Sequence, residues 1–214
     1  MDRYLKEKIK DTDDPYPGRR KPLRVDISEF VETLNRDCSD IIQVYQQTNK
    51  FLYRGTNDKG TFLEKTGRGA KVRIPRNTPV SFHRYLNKIF KEKFGWKVRD
   101  GISTTPKKGV ALSYGAGSAY IFFPTNKCKF AWSPKYFDLY VQLKILKTTG
   151  YDSVKEFLAK KEITFTRAVN TYKDDNLAMA IRAGNEVMFK VSKYYLLDSA
   201  QTIEIALREA LGMR

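Results

Sequence analysis

The run Phe51-Leu52-Tyr53-Arg54-Gly55-Thr56 carries aromatic and aliphatic residues up to an arginine and then breaks at glycine. That composition, bounded by Gly, reads as a short strand. A strand that stops at Arg54 sets a guanidinium at a sheet end, where its planar fork of donors suits phosphate oxygens. The structural alternative is an ion pair with an acidic residue of the preceding helix. Two further stretches share the strand character: Gly101-Ile102-Ser103-Thr104-Thr105, and residues 186–197, which open on Glu186. Tyr120-Ile121-Phe122-Phe123, just before Pro124, is a continuous apolar run suited to a buried strand.

Helical periods lie between these strands. Phe30, Val31, Leu34, Cys38, Ile41, Ile42 and Tyr45 predict one long helix or two short ones, with Asp26 and Glu29 at capping-box spacing. Val80–Phe94 repeats the pattern through Phe82, Tyr85, Leu86, Ile89 and Phe90, and Gly95 is its stop. Residues 153–160 predict a short helix, Leu177–Ala183 another with Asp175 as cap and Gly184 past its end, and residues 199–211 a last amphipathic one. Residues 59–78 read as a basic loop, and residues 136–146 mix periods and take no assignment. Gly115-Ala116-Gly117-Ser118-Ala119-Tyr120 lacks the third glycine of a dinucleotide fingerprint and precedes a strand. Residues 55–61 have a phosphate-loop outline without its Gly-Lys pair. Strands and helices interleave without regular βαβ alternation, so the expected class is α+β.

A chain of 214 residues, 41% hydrophobic and 13% aromatic, is long enough for one globular core. Residues 1–25, broken by Pro15, Pro17, Gly18 and Pro22 without apolar periodicity, predict a flexible basic arm, leaving 26–214 as the folded domain. Cys38 and Cys128 have neither CxxC spacing nor a nearby histidine, so no disulfide framework and no metal site is expected. No apolar run approaches membrane-spanning length, and the expected location is cytoplasmic, without a membrane partner. The net charge is +16, and residues 59–99 hold twelve basic side chains against two acidic ones. That excess suits a polyanion, because each phosphate contact releases counterions. A solvated basic face that keeps the protein in solution is the alternative. Lys88 and Lys91 are the candidate phosphate contacts on the helix within this stretch.

In this order, Arg54 ending an apolar run, Ser103-Thr104-Thr105, and Glu186 opening a strand resemble the arginine–serine–glutamate class of mono-ADP-ribosyltransferases, including small bacteriophage and toxin-type members. The resemblance spans residues 45–200. It implies two packed, mostly antiparallel sheets with flanking helices around an NAD cleft. It also implies NAD as the substrate, no metal, and transfer of ADP-ribose to a macromolecule. It assigns catalysis to Glu186, Arg54 and Ser103, and NAD contacts to Arg54, Gly55, Ser103, Thr104 and Tyr114. Phage or toxin delivery would place the chain in a host cytoplasm, and an antitoxin or immunity protein is a conceivable partner.

The residue types suit that chemistry. Loss of nicotinamide from NAD develops positive charge on the ribose, as glycoside cleavage does, and a strand-end carboxylate stabilises such charge. For Glu186 the structural alternative is an edge-strand side chain facing water; for Tyr114 it is a core tyrosine. Arginine-modifying members resemble Glu-x-Glu, but the first of those positions is Gly184 here, which puts arginine acceptors in doubt. The only histidine, His83, lies away from Arg54, which disfavours the branch with histidine at that place. The loop expected before Glu186, residues 165–185, carries Arg167, Tyr172, Lys173 and Arg182, suited to stacking on an unpaired base and to phosphate contact. Nucleic acid is therefore the preferred acceptor. The alternatives are a protein side chain other than arginine, and a non-catalytic nucleic-acid-binding or virion-associated protein of the same fold.

Overall fold

The computed structural model describes residues 27–67, 80–114, 117–139 and 154–214. The expected N-terminal arm, Asp26 of the expected capping box, and residues 68–79, 115–116 and 140–153 lie outside them. Among the described residues the chain is α+β, with seven α-helices and two antiparallel sheets. Helices α1 (Ser28–Asp37) and α2 (Ser39–Thr48) are the two short helices, divided at Cys38 (φ −132°). Strands β1 (Tyr53–Gly55) and β2 (Phe62–Thr66) follow, then α3 (Val80–Phe94) and a one-turn 3-10 helix (Val98–Asp100). Next come β3 (Ile102–Thr104), α4 (Lys108–Tyr114), β4 (Ala119–Pro124) and β5 (Lys129–Trp132). The chain ends with α5 (Val154–Asn170), α6 (Leu177–Ala183), β6 (Val187–Lys190), β7 (Lys193–Asp198) and α7 (Gln201–Ala210).

One sheet runs β1-β4-β7-β2, the other β3-β6-β5. Every residue of β4 is buried, as its unbroken apolar run predicts. The sheets are joined where Tyr53 bridges Thr105, and Phe122 of β4 packs on Phe189 of β6 with ring centroids 5.1 Å apart. Alternation along the smaller sheet serves two cores. Val187, Phe189 and Trp132 join the larger cluster with α1, α2 and β4, while Met188 and Ala131 join a second beneath α3 and α5.

Three assignments change. Residues 59–78 contain β2, which pairs with β7 from Phe62↔Leu197 to Thr66↔Lys193. This is an edge strand held by cross-strand partners: Phe62 stacks between Phe30 (4.5 Å) and Tyr195 (5.3 Å), contacts invisible in local periodicity. The expected single strand 186–197 is two strands in different sheets, turning at Val191 and Ser192. Gly67 meets that turn so closely that a Cβ would lie 1.7 Å from the Val191 carbonyl oxygen, and its N–H donates to the Ser192 carbonyl. Finally, the short helix near 153–160 continues to Asn170, because Phe165, Ala168 and Val169 bury a helical face. Lys93 holds the end of this helix, donating to the carbonyls of Val169, Asn170 and Tyr172.

Candidate functional site

Strand register brings Ser103 and Glu186 together. Ser103 pairs with Met188, and in β3 the neighbours Ile102 and Thr104 turn into the larger core. Ser103 therefore faces the other side, with Met188, and Glu186 lies two residues before Met188 on that same face. The Ser103 hydroxyl donates to Glu186 Oε1 at 2.6 Å across 83 residues of chain. Arg54 Nη1 donates to the Ser103 carbonyl at 3.3 Å. The three site residues read from the sequence thus share one place. The backbone ahead of β6 is fixed as well: Glu186 N–H donates to the Phe137 carbonyl, and Asn185 Nδ2 to the Ser133 carbonyl.

Sequence reading missed the group that completes this arrangement. Arg99 Nη1 donates to Glu186 Oε2 at 2.7 Å, and the two side chains are 2% and 10% exposed. Arg99 sits in the 3-10 turn, which α3 grips with polar side chains. Asn87 Oδ1 accepts from the Arg99 backbone N–H (2.9 Å), Asn87 Nδ2 donates to Asp100 Oδ1 (2.9 Å), and His83 Nε2 lies 2.6 Å from that same oxygen. His83 is fully buried, so the lone histidine is a bracket for the turn. The available signal was His83 and Asn87 at i, i+4 on the buried side of an amphipathic helix, where polar residues need partners.

Two residues near the carboxylate carry exposed rings. Tyr114 is 64% exposed and its hydroxyl donates to Asp138 at 2.8 Å; Phe137, whose carbonyl holds the Glu186 amide, is half exposed. Desolvation, then the Asp138 carboxylate, then the Glu186 charge push the Tyr114 hydroxyl pKa up, so it stays protonated as a donor. Tyr114 is thus a surface ring and not a core tyrosine. Gly55 ends β1 opposite Ala119.

Other expected site residues fall elsewhere. Thr104 is 2% exposed and donates to the Val187 carbonyl, so it staples β3 to β6 and is not available to a dinucleotide. Tyr172 is 3% exposed and packs edge-on against Phe90, so its ring cannot stack on an incoming base. The expected acceptor loop shrinks accordingly, since most of it is helix. Arg182 is exposed but donates to the Gln47 carbonyl at the end of α2. Lys88 and Lys91 are exposed on α3, and with Arg84 they occupy i, i+4, i+7 positions of one face. Asn176, not Asp175, caps α6 by accepting from the Met179 N–H, and Gly184 ends that helix at φ 77°.

Two cavities, of about 250 and 350 Å3, border α4 and β1, and neither is lined by Glu186. The described residues include no cluster of His, Cys, Asp and Glu that could hold a metal ion. No described helix is long and apolar enough to cross a membrane. The chain matches no protein-family model, no curated protein and no solved structure.

Proposed function

We propose that this protein is an NAD-dependent mono-ADP-ribosyltransferase whose acceptor is nucleic acid. The observation that carries the reading is the 2.6 Å bond from Ser103 to Glu186, with Arg54 on the Ser103 carbonyl. Three residues singled out by the family resemblance, 49 and 83 positions apart, are linked by these two hydrogen bonds. The donor set fits a dinucleotide. Arg54 has a fork for pyrophosphate oxygens, Tyr114 and Phe137 offer exposed rings to an aromatic base, and Glu186 offers a carboxylate to a ribose hydroxyl.

NAD supplies the leaving group: its ribose C1′–nitrogen bond breaks with the electron pair on nicotinamide, and the acceptor's lone pair forms the new C1′ bond as its proton leaves to solvent. The chain's part is positioning and charge. Ser103 and Arg99 hold both oxygens of Glu186, which fixes the carboxylate without spending its remaining lone pairs. A carboxylate so fixed stabilises positive charge on the ribose without reorganising. Position 184 is glycine, so no carboxylate stands two residues before Glu186, which argues against a guanidinium acceptor. The basic stripe Arg84, Lys88 and Lys91 favours nucleic acid over protein.

The test is incubation with NAD labelled in the adenylate moiety and total lysate, followed by separate nuclease and protease digestion. Label released by nuclease and absent with Glu186→Gln supports the reading. Label released only by protease replaces the acceptor, and no NAD turnover at all refutes the activity.

A further inference from the structure

The 350 Å3 cavity lies outside the constellation around Glu186. Four cationic side chains line it, Lys50, Lys107, Arg182 and Arg208, together with Tyr53 and Ile181, and no acidic side chain does. Its volume is at the lower end of ligand pockets, which run about 300–1,000 Å3. Tyr53 and Arg54 are adjacent in β1 and so point to opposite faces, which puts the cavity across the strand from the Ser103 contact of Arg54.

Both guanidiniums are pre-positioned by the end of α2. Arg182 Nη2 donates to the Gln47 carbonyl, and Arg208 Nη1 to the Asn49 carbonyl and side-chain oxygen. Arg208 also lies over the Phe51 ring and reaches Glu204, a carboxylate already shared with Tyr53 and Lys108. The two lysines are different. Their ammonium groups make no hydrogen bond or ion pair with the described residues, and Lys107 reaches the space that a side chain at position 184 would fill. A Cβ on Gly184 would lie 2.9 Å from Lys107 Cε. Four cationic side chains line one cavity, and among the described residues Lys50 and Lys107 have no carboxylate partner, so an entering anion meets uncompensated positive charge there.

We propose that this cavity is a phosphate-binding site that takes a phosphate ester, from a polynucleotide backbone or from the pyrophosphate of a dinucleotide other than the one held at Arg54. Arginine forks grip such oxygens in two directions, and flexible lysines close on the remaining charge. The proposal does not depend on NAD cleavage.

The full chain, labelled with 15N, is titrated with inorganic pyrophosphate, with NAD and with a single-stranded octanucleotide. Lys50→Ser/Lys107→Ser is the variant, because neither ammonium bonds to any of the described residues. Pyrophosphate is expected to shift the Ala183 and Gly184 amide resonances, and the variant to weaken its binding about tenfold or more. Whichever of NAD and the oligonucleotide loses affinity by the same factor is the physiological source. If it is the oligonucleotide, its salt slope also flattens by about 0.7 for each phosphate that the variant no longer neutralises. Unmoved resonances at 183 and 184, or a variant that binds all three probes like the parent, overturns the site. A chain that binds pyrophosphate here but never turns over NAD refutes the transferase reading alone.

Discussion

The ion pair between Arg99 and Glu186 makes a sharp prediction, because it is buried and each partner is anchored by a different element. Truncating one member leaves the other charge in a site that is 2% or 10% exposed. Breaking a buried pair in this way costs about 3–5 kcal/mol. In a domain of this size each kcal/mol lowers Tm by about 2–4 °C, so Arg99→Met and Glu186→Leu should each melt roughly 6–20 °C below the parent. Removing both charges removes the charge penalty: Met follows the arginine stem, Leu fills the glutamate volume, and the Ser103 hydroxyl loses its Glu186 partner. The double variant should therefore be destabilised by about 1–2 kcal/mol, giving a coupling energy of about 4 kcal/mol or more. Urea unfolding of the four proteins, followed by circular dichroism, closes the cycle. Additivity within about 0.5 kcal/mol would show that the two charges do not meet in the folded protein, and the geometry of the site would fall with it.

Glu186→Gln should lose NAD cleavage by about 10²–10³-fold and melt below the parent by less than Glu186→Leu does, since Gln still accepts one bond from Arg99; turnover within threefold of the parent refutes the role. Neutralising Arg84, Lys88 and Lys91 together should weaken single-stranded DNA binding and flatten its salt slope by about two units, whereas Lys93→Ala should act on Tm because Lys93 caps α5; filter binding between low and moderate salt separates the two. Asp37 has its carboxyl held at about 2, first by the Arg36 hydrogen bond and then by Tyr195, so its contribution is present above about pH 4 and disappears as pH falls toward 2. Asp37→Asn should therefore cost about 1 kcal/mol at neutral pH, after discount for its partial exposure, and nothing near pH 2; an equal loss at both pH values refutes the assignment.

Most of the architecture was legible because it is written in local periods. The helix Val80–Phe94 shows helical apolar spacing, and the short unbroken run at Tyr120 is marked as a buried strand by its length and the Pro124 that follows. What escaped depends on partners distant in sequence. β2 has half-buried residues on both faces and exists because β7 lies beside it; the break between β6 and β7 is set by which sheet each strand joins. The site divides in the same way. Arg54, Ser103 and Glu186 could be named from residue type and order, but Arg99 could not, since nothing near it in sequence says that a fully buried guanidinium needs an acid at position 186. Tyr172 misled for the converse reason: an aromatic residue among basic neighbours looks like a recognition surface, and only the packing of Phe90 shows it to be core.

The position of α3 gives the charge distribution a structural meaning. Its apolar side, through Phe82, Leu86 and Phe90, fixes the helix on the second core. On the same buried side, His83 and Asn87 grip the turn that presents Arg99 to Glu186. Its solvent face carries Arg84, Lys88 and Lys91. A polyanion that settles on α3 therefore lies on the element that also aims the carboxylate, one packed helix away from the Ser103–Glu186 pair. A shift of the helix by even a fraction of an ångström would be felt at Arg99, because Asn87 holds the Arg99 backbone amide itself. Asn87→Leu is the variant that separates the two roles. It keeps the basic face, and so should leave DNA affinity within about twofold, but it leaves the Arg99 N–H and Asp100 short of a partner each, at a cost of about 1–3 kcal/mol. NAD cleavage should fall with the looser Arg99, and measured kcat should drop more than KM rises. Unchanged kcat in a folded Asn87→Leu protein would show that the turn holds Arg99 without help from α3, and the helix would then be a binding surface only.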